Sequence, residues 1–443
     1  MTEVRGGVGS GGNGSAQPSE ELRVTAVGVI RGTTTDRRAV IPLLRRLRSA
    51  EGQADPLPVW QELRALGDVV PAPWGGYFVT GFDACSQVLR GRDWLAPDFA
   101  WQERQADTAR WRDPSTREMT RTLSRLNAPA HTVQRRALGN LFDRGTLEAL
   151  RPRITAHVTR LLDRLDARLR AHGEADFATT VSDRLPIRTV GQWLGIPAGH
   201  YPRILDFTHR QVHAQELLPT KSELAISARA TREMRAYFTA LLAHRRAHPG
   251  DDVLSGWIRY WDAQYPADRT TADQTLYDLT MFITIASLET TATLLSNAVW
   301  FLTQDPARAD RLRRHPEHVD DAIEESLRYD PPIHLNSRVA AADTVLAGVP
   351  VAKDATVHVL YGAANHDPRR NENPHVFDML RRGGHLTFGG GAHYCLGSGL
   401  ARLEARILLT ELLERFPTLR PAAGPTYANR MVFRRVTSLK VTT

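Results

Sequence analysis

One thiol stands in a setting suited to chemistry. Cys395 closes the run His385-Leu-Thr-Phe388-Gly389-Gly-Gly391-Ala-His393-Tyr-Cys395-Leu-Gly397, and an Ala/Leu-rich segment reaching Arg402 and Glu404 follows it. The glycines permit a tight turn whose backbone can approach a flat ligand closely. The apolar segment reads as a helix, and a cysteine at a helix start meets unpaired N–H groups that favour thiolate. An inert buried cysteine in a Gly-rich loop would account for the glycines, but not for the aromatic, the histidines and the helix around them. The other cysteine, Cys85 in Phe82-Asp-Ala-Cys-Ser-Gln-Val-Leu89, lies in a short amphipathic pattern where packing is its expected role. Two cysteines exclude a disulfide framework and point to a reducing compartment.

A second constellation lies in Ala286-Ser287-Leu-Glu289-Thr290-Thr291, an acid beside an alcohol within an apolar run. Such a pair can pass protons in a site closed to water. The competing use of a mid-helix threonine is a hydrogen bond to the carbonyl four residues back. Glu325 and Arg328 are three apart, neighbours on a helix, and on a surface such a pair is worth little. His131 and Arg135 share a helix face after Asn127-Ala-Pro129.

The elements that must carry these groups are mostly helical. Periodicity predicts helices near 58–67, 82–90, 129–143, 146–171, 181–194, 198–215, 223–247, 271–303, 305–314, 318–329 and 397–415. Short strands are predicted near 75–80, 335–341, 355–360 and 429–442. The 271–303 helix would be about 50 Å long at 1.5 Å per residue, and its apolar residues nearly encircle it, so it should be central. The fold class is mainly α with small β-sheets, as one domain without repeats. Residues 1–22, Gly/Ser-rich with Glu20 and Glu21, are expected to be a disordered lead-in, and 23–443 the catalytic domain.

The 443 residues, 42% hydrophobic, suffice for a large core. The most apolar stretch, Leu279 to Leu295, carries Glu289 and several threonines, which argues against a membrane span. No signal peptide is evident, and a cytoplasmic monomer is expected. The net charge of +8 comes from arginines scattered among acids; a nucleic-acid binder would concentrate them in a stripe with aromatics.

The pattern Phe388-Gly389-x-Gly391-x-His393-x-Cys395-x-Gly397 resembles the haem-binding signature of the cytochrome P450 family, matched at every fixed position. Further segments match in order, so the resemblance covers the chain from about residue 58. It implies the P450 fold, haem b as cofactor, Cys395 as thiolate ligand to its iron, and oxidation of a small molecule with O2. A thiolate ligand pushes electron density onto the iron and favours O–O cleavage. Phe388, Gly389, Gly391, His393 and Gly397 would then cradle the haem, and His131, Arg135, Arg338 and His385 would meet its propionates with charge-assisted bonds. Glu325 and Arg328, followed by Tyr329-Asp-Pro-Pro332, look like the family's Glu-x-x-Arg pair. Ala363-Ala-Asn-His-Asp-Pro368 looks like scaffolding, and Glu289 with Thr290 like the acid–alcohol pair of oxygen activation. Electrons would come from a ferredoxin and a ferredoxin reductase using NAD(P)H, docking near Arg135, Arg136, Arg381, Arg382 and Arg402.

Two departures stand out. Where the family often places a third basic partner for the Glu-x-x-Arg pair, this chain has Asn373-Pro-His375-Val376, which makes His375 a possible substitute. Ser287 occupies a position usually held by glycine; it restricts the helix and adds bulk and a hydroxyl over the haem. The substrate pocket is expected from the 91–126 loop, residues 205–222, the helix around Phe282 to Thr290, the segment after Pro332 and the Met431-Val432-Phe433 turn, with Trp94, Phe282, Ala286, Ser287, Ile333, Val432 and Phe433 as lining residues. Asp93-Trp94, Ala100-Trp-Gln-Glu-Arg104, Leu123-Ser-Arg-Leu-Asn-Ala-Pro129 and Gln215-Glu-Leu-Leu-Pro219 are similar to bacterial members that tailor tryptophan-containing cyclodipeptides (2,5-diketopiperazines). That similarity implies oxidative coupling, C–C or C–N, with two molecules in one pocket. The alternatives are a hydroxylase of a terpenoid, polyketide or fatty acid, and a non-catalytic haem sensor or docking protein.

Overall fold

The computed structural model describes residues 37–105 and 109–443, which belong to one compact unit, Asp36–Thr443. The expected disordered segment 1–22 lies outside the described residues. The long helix runs Arg269–Thr303 and is buried along nearly its whole length. Asp268 caps it, its carboxylate accepting from the Thr271 amide at 3.0 Å. Around it pack Arg184–Trp193, Lys221–Ala247, Val253–Gln264, Val319–Tyr329 and Ser398–Arg415. Arg144–His172 starts at an Asp143 cap and ends on Gly173 at φ +73°, a left-handed stop that suits glycine. Thr220 and Glu223 form a capping box at the start of Lys221–Ala247.

A five-stranded sheet flanks this bundle in the order Val69–Pro71, Tyr77–Val79, Thr356–Leu360, Leu335–Ala340, Trp94–Leu95. Tyr77–Val79 pairs in parallel with Thr356–Leu360, and the other neighbours are antiparallel. Three smaller sheets of two or three strands complete the described fold.

The predicted helices are all present, with ends shifted by a few residues. Among the described residues seven further α-helices carry no expectation from periodicity, the longest being Val253–Gln264, which follows a Pro-Gly-Asp turn and is held by buried Trp257 and Trp261. The strand predicted over 429–442 is instead two short strands, Val436–Ser438 and Lys440–Thr442. The preceding residues bend away because buried side chains claim their backbone: Glu216 accepts from the amides of Met431, Val432 and Phe433 at 2.8, 3.1 and 3.2 Å.

Glu325 and Arg328 are not a surface pair. Both are buried, joined at 2.6 and 2.8 Å, and Arg328 also donates to the carbonyls of Asn365 and Pro374. The third basic partner is Arg381, which reaches Glu325 at 3.3 Å. His375 stacks on His366 instead.

Candidate functional site

The Cys395 loop forms the floor of a cavity of about 830 Å3 bounded above by the long helix. Backbone alone shapes it. Gly389 and Gly391 adopt φ +73° and +61°, and a Cβ on Gly391 would lie 2.7 Å from the Leu89 carbonyl oxygen. The Cys395 amide donates to Phe388 O at 2.8 Å, fixing the sulfur's direction. Burial pushes the Cys395 thiol up; the Gly397 amide, Arg135, Arg402 and the Ser398 amide pull it down without overcoming that burial. The helix start alone therefore does not yield a thiolate here. A bound cation at the sulfur would, since metal coordination deprotonates a thiol outright.

Along one wall stand cationic groups without acids. Arg338 is deeply buried and, among the described residues, its guanidinium donates only to the Ser337 carbonyl, at 2.9 Å. Arg125 is half-buried, its side chain has no hydrogen bond or ion pair to a described residue, and burial, then Arg338, lower it to about 10, so it stays charged. His131 packs against His393, ring centroids 4.3 Å apart, and its Nε2 is buried without a partner. Burial, then Arg338 and neighbouring groups, hold His393 down at about 3, neutral. Buried charges without partners are costly. A flat group bearing two carboxylates on one edge and a metal at its centre would satisfy both the guanidiniums and the thiol. Among the described residues no cluster of three metal-ligating side chains exists, so such a metal must arrive with ligands of its own. A metalloporphyrin fits these donors.

The structure brings most of the expected site residues to this one cavity: His131, Arg135, Arg338, Phe388, Gly389, His393, Cys395, Gly397, Phe282, Ala286, Ser287, Thr290, Ile333, Val432 and Phe433 all line it. Four do not. Gly391 acts through the loop backbone under Leu89. His385 is turned to Glu324 at 3.1 Å, a carboxylate it shares with Arg402. Trp94 is buried in the sheet, its strand paired with Leu335–Ala340. Glu289 points from the back of the long helix into an ion pair with Arg430, at 2.9 Å, with Arg435 at 3.8 Å. Burial works to raise the Glu289 pKa, but Arg430, His209 and Arg435 more than offset it and leave it below the ordinary range.

On the cavity side of that helix the hydroxyls of Ser287 and Thr290 donate to the carbonyls of Ile283 and Ala286 at 2.6 and 2.7 Å. The helix stays continuous past Ser287. Each hydroxyl oxygen retains acceptor capacity, so either can accept from a neighbour, and can pass its own proton on when it turns from its helix carbonyl.

Sequence reasoning did not single out Arg125, Arg110, Trp74 or Glu404, all of which line the cavity. Arg125 lies in the run Leu123-Ser-Arg-Leu-Asn-Ala-Pro129, where its local spacing gives no mark of a site. Glu404, on the helix after Cys395, is raised to about 7 by burial. Of the basic docking residues, Arg381 and Arg402 are spent on Glu325 and Glu324, leaving Arg136 and Arg382 exposed.

The fold and this site define a haem-thiolate type of protein, and comparisons with known proteins agree. A family model for cytochrome P450 matches residues 262–425. Putative cytochrome P450 140 of Mycobacterium tuberculosis (strain ATCC 25618 / H37Rv) is 30% identical over 434 residues, covering 95% of this chain and 94% of that protein. Among solved structures, P450BioI in complex with hexadec-9Z-enoic acid ligated acyl carrier protein superposes with a TM-score of 0.80 at 28% identity, over 88% of this chain and 99% of that one. The cytochrome P450 enzyme CxnD, for C–S bond formation in chuangxinmycin biosynthesis, does so with a TM-score of 0.76 at 27% identity, over 87% and 94%. The chain belongs to the cytochrome P450 family. It is a monooxygenase of that family, with haem (iron protoporphyrin IX) as its cofactor.

Proposed function

We propose that this enzyme oxidises a tryptophan-containing cyclodipeptide, joining two rings through a C–C or C–N bond. The observation that carries the reading is the cavity's aromatic wall: Trp74, Trp101, Trp111, Phe282 and Phe433 face the space over the Cys395 loop, and aromatic walls suit flat indole rings. Trp101 and Trp111 meet edge to face at 5.5 Å, and the Trp101 indole is anchored to the Asp354 carbonyl at 3.1 Å. CxnD, a relative in structure, is described as bond-forming, which supports coupling over oxygen insertion. The catalytic domain is taken to run from residue 23 to 443, in the cytoplasm, as a monomer.

In this reading Cys395 holds the iron, and Arg125, Arg338, His131 and Arg135 hold the propionates. When bound and supplied with two electrons, haem provides the activation of O2. Coupling removes one hydrogen from each of two positions; with O2, two electrons and two protons the balance closes as two waters. The indole N–H is the first bond to be cleaved, and the resulting radical cyclises before a second ring captures it.

Thr290 donates its O–H to the Ala286 carbonyl at rest, and passes that proton towards the site of oxygen reduction once the hydroxyl turns from the carbonyl, its oxygen taking a replacement proton from a neighbouring donor. Glu289 sustains the local field and anchors Arg430. Ser287 adds bulk where the helix meets the substrate and keeps the helix closed, which disfavours oxygen insertion. A ferredoxin and its NAD(P)H-dependent reductase supply electrons at a face that includes Arg136 and Arg382, so turnover should fall as salt rises.

A panel of cyclodipeptides titrated into the ferric protein tests the reading. Tryptophan-containing members should shift the Soret band by displacing water. If none does, while fatty acids or polyketides do, the protein is a hydroxylase of those chains.

A further inference from the structure

Arg110 is a cation the haem does not require. It lines the cavity and is half-buried. Its Nη1 donates to the Leu217 carbonyl at 2.7 Å, while its buried Nε has no hydrogen-bond partner among the described residues. Two residues before Leu217, the Gln215 Nε2 is likewise buried without a partner, and Gln215 lines the same cavity. The nearby acid, Glu216, has both carboxylate oxygens taken by the amides of Met431, Val432 and Phe433. His358, also in this wall, brings no charge to Arg110: Trp74 Nε1 lies 3.3 Å from its Nε2, and Ser337 Oγ 2.8 Å from its Nδ1. Burial, then Arg110, hold it at about 3.

A charge count separates the roles. The two propionates of haem call for two cations, and Arg338, Arg125 and Arg135, beside His131 and His393, already meet that need without Arg110. Arg110 lies in the wall with Leu217, Gln215 and His358, near enough to Arg125 to feel its charge. Burial, then Arg125, lower it to about 9, opposed by Glu216, so it remains protonated at neutral pH. A guanidinium carries five donors in a rigid fork. Leaving such donors unmet in a closed site costs free energy that a ligand oxygen would recover.

We infer that Arg110, seconded by Gln215, binds an oxygen of the substrate, carbonyl or carboxylate, and so fixes which end of the molecule faces Cys395. The tryptophans of the wall set the plane of a ring, and Arg110 sets its direction. The inference does not require the substrate to be a cyclodipeptide, although the ring carbonyls of one would serve.

Three probes on one ring system test it: indole-3-propionamide, indole-3-propionate and 3-propylindole. Their affinities for the ferric holoenzyme, wild type and Arg110→Gln, are measured by equilibrium dialysis, with haem content and the ferrous carbonyl spectrum recorded alongside. Wild type should prefer the oxygen-bearing probes to 3-propylindole. Arg110→Gln should weaken those probes about tenfold or more, leave 3-propylindole within about twofold, and leave the carbonyl spectrum unchanged. A larger loss for the propionate than for the amide assigns the site to carboxylates; equal losses assign it to carbonyl oxygen. Equal weakening of all three probes, no weakening, or no preference in wild type would overturn the inference. Should Arg110→Gln fail to fold or load haem, Gln215→Leu replaces it, with the same selective loss expected at smaller size and the same outcomes overturning it. If wild type binds indole-3-propionamide but no tryptophan cyclodipeptide, the cyclodipeptide reading falls and the Arg110 site stands.

Discussion

The floor and the roof of the cavity are built by opposite means. The floor is one short loop in which backbone does the shaping: two glycines at positive φ and the Cys395 amide on Phe388 O place a single sulfur. The roof gathers side chains from segments far apart in the chain, including Trp74, Trp101, Arg110, Gln215, Ser287 and Phe433. Within the roof the long helix divides again. Its cavity face carries hydroxyls satisfied by their own helix, and its back carries Glu289 locked to Arg430. A floor of backbone fixes one chemistry, whereas a roof of side chains can be redirected one residue at a time.

The largest effect should come from the floor. Cys395→Ala removes the only side chain there able to bind iron as thiolate; the ferrous carbonyl spectrum should lose its thiolate character and turnover should vanish. In the roof, Thr290→Ala should lower product formed per NAD(P)H by about tenfold or more, with substrate affinity little changed. That split separates proton delivery from binding.

On the back of the helix, Glu289→Gln leaves Arg430 buried without its counter-charge. A loss of about 3–5 kcal/mol is expected, read by denaturant unfolding, together with loosening of the 430–433 turn. Proton delivery that stops while stability holds would instead make Glu289 part of the relay itself.

Asp278 supplies a contrast on the same helix. It is buried, accepts from Gln274 at 2.8 Å and is ion-paired with no arginine among the described residues; burial raises it to about 7 against the weaker pull of Gln274, Arg121 and Arg235. Because the folded pKa exceeds the unfolded value of about 3.9, the folded state keeps a proton that the unfolded chain releases. Stability therefore falls as pH rises from about 4 to about 7. Asp278→Asn should stabilise the protein at pH 8 by an amount on the order of 1–3 kcal/mol, and by little at pH 4; thermal melts at the two values check this. The smallest effect belongs to Ser287→Gly, about 1 kcal/mol of helix stability, with product shifting from coupling towards oxygen insertion.

This division also explains what could be read from the sequence. The Cys395 loop is local, so residue types at fixed spacing revealed it along with the glycines that turn it. The long helix announced itself by its apolar girth. Direction around that helix was less legible: Glu289 and Thr290 are adjacent, yet a step of about 100° per residue puts one in the ion pair and the other at the cavity. Trp94 was placed in the pocket by its neighbourhood in sequence, but strand pairing with Ala340 turned it into the sheet. Arg110 and Arg125 became visible only once tertiary packing showed which cations lack acids.

Product analysis by mass spectrometry tests the central proposal most directly. The reconstituted enzyme, with O2, a ferredoxin, its reductase and NAD(P)H, is incubated with tryptophan-containing cyclodipeptides. Products that have lost two hydrogens, within one molecule or between two, are the expected result. Products that have instead gained one oxygen, or no turnover despite an intact thiolate–carbonyl spectrum, would contradict it.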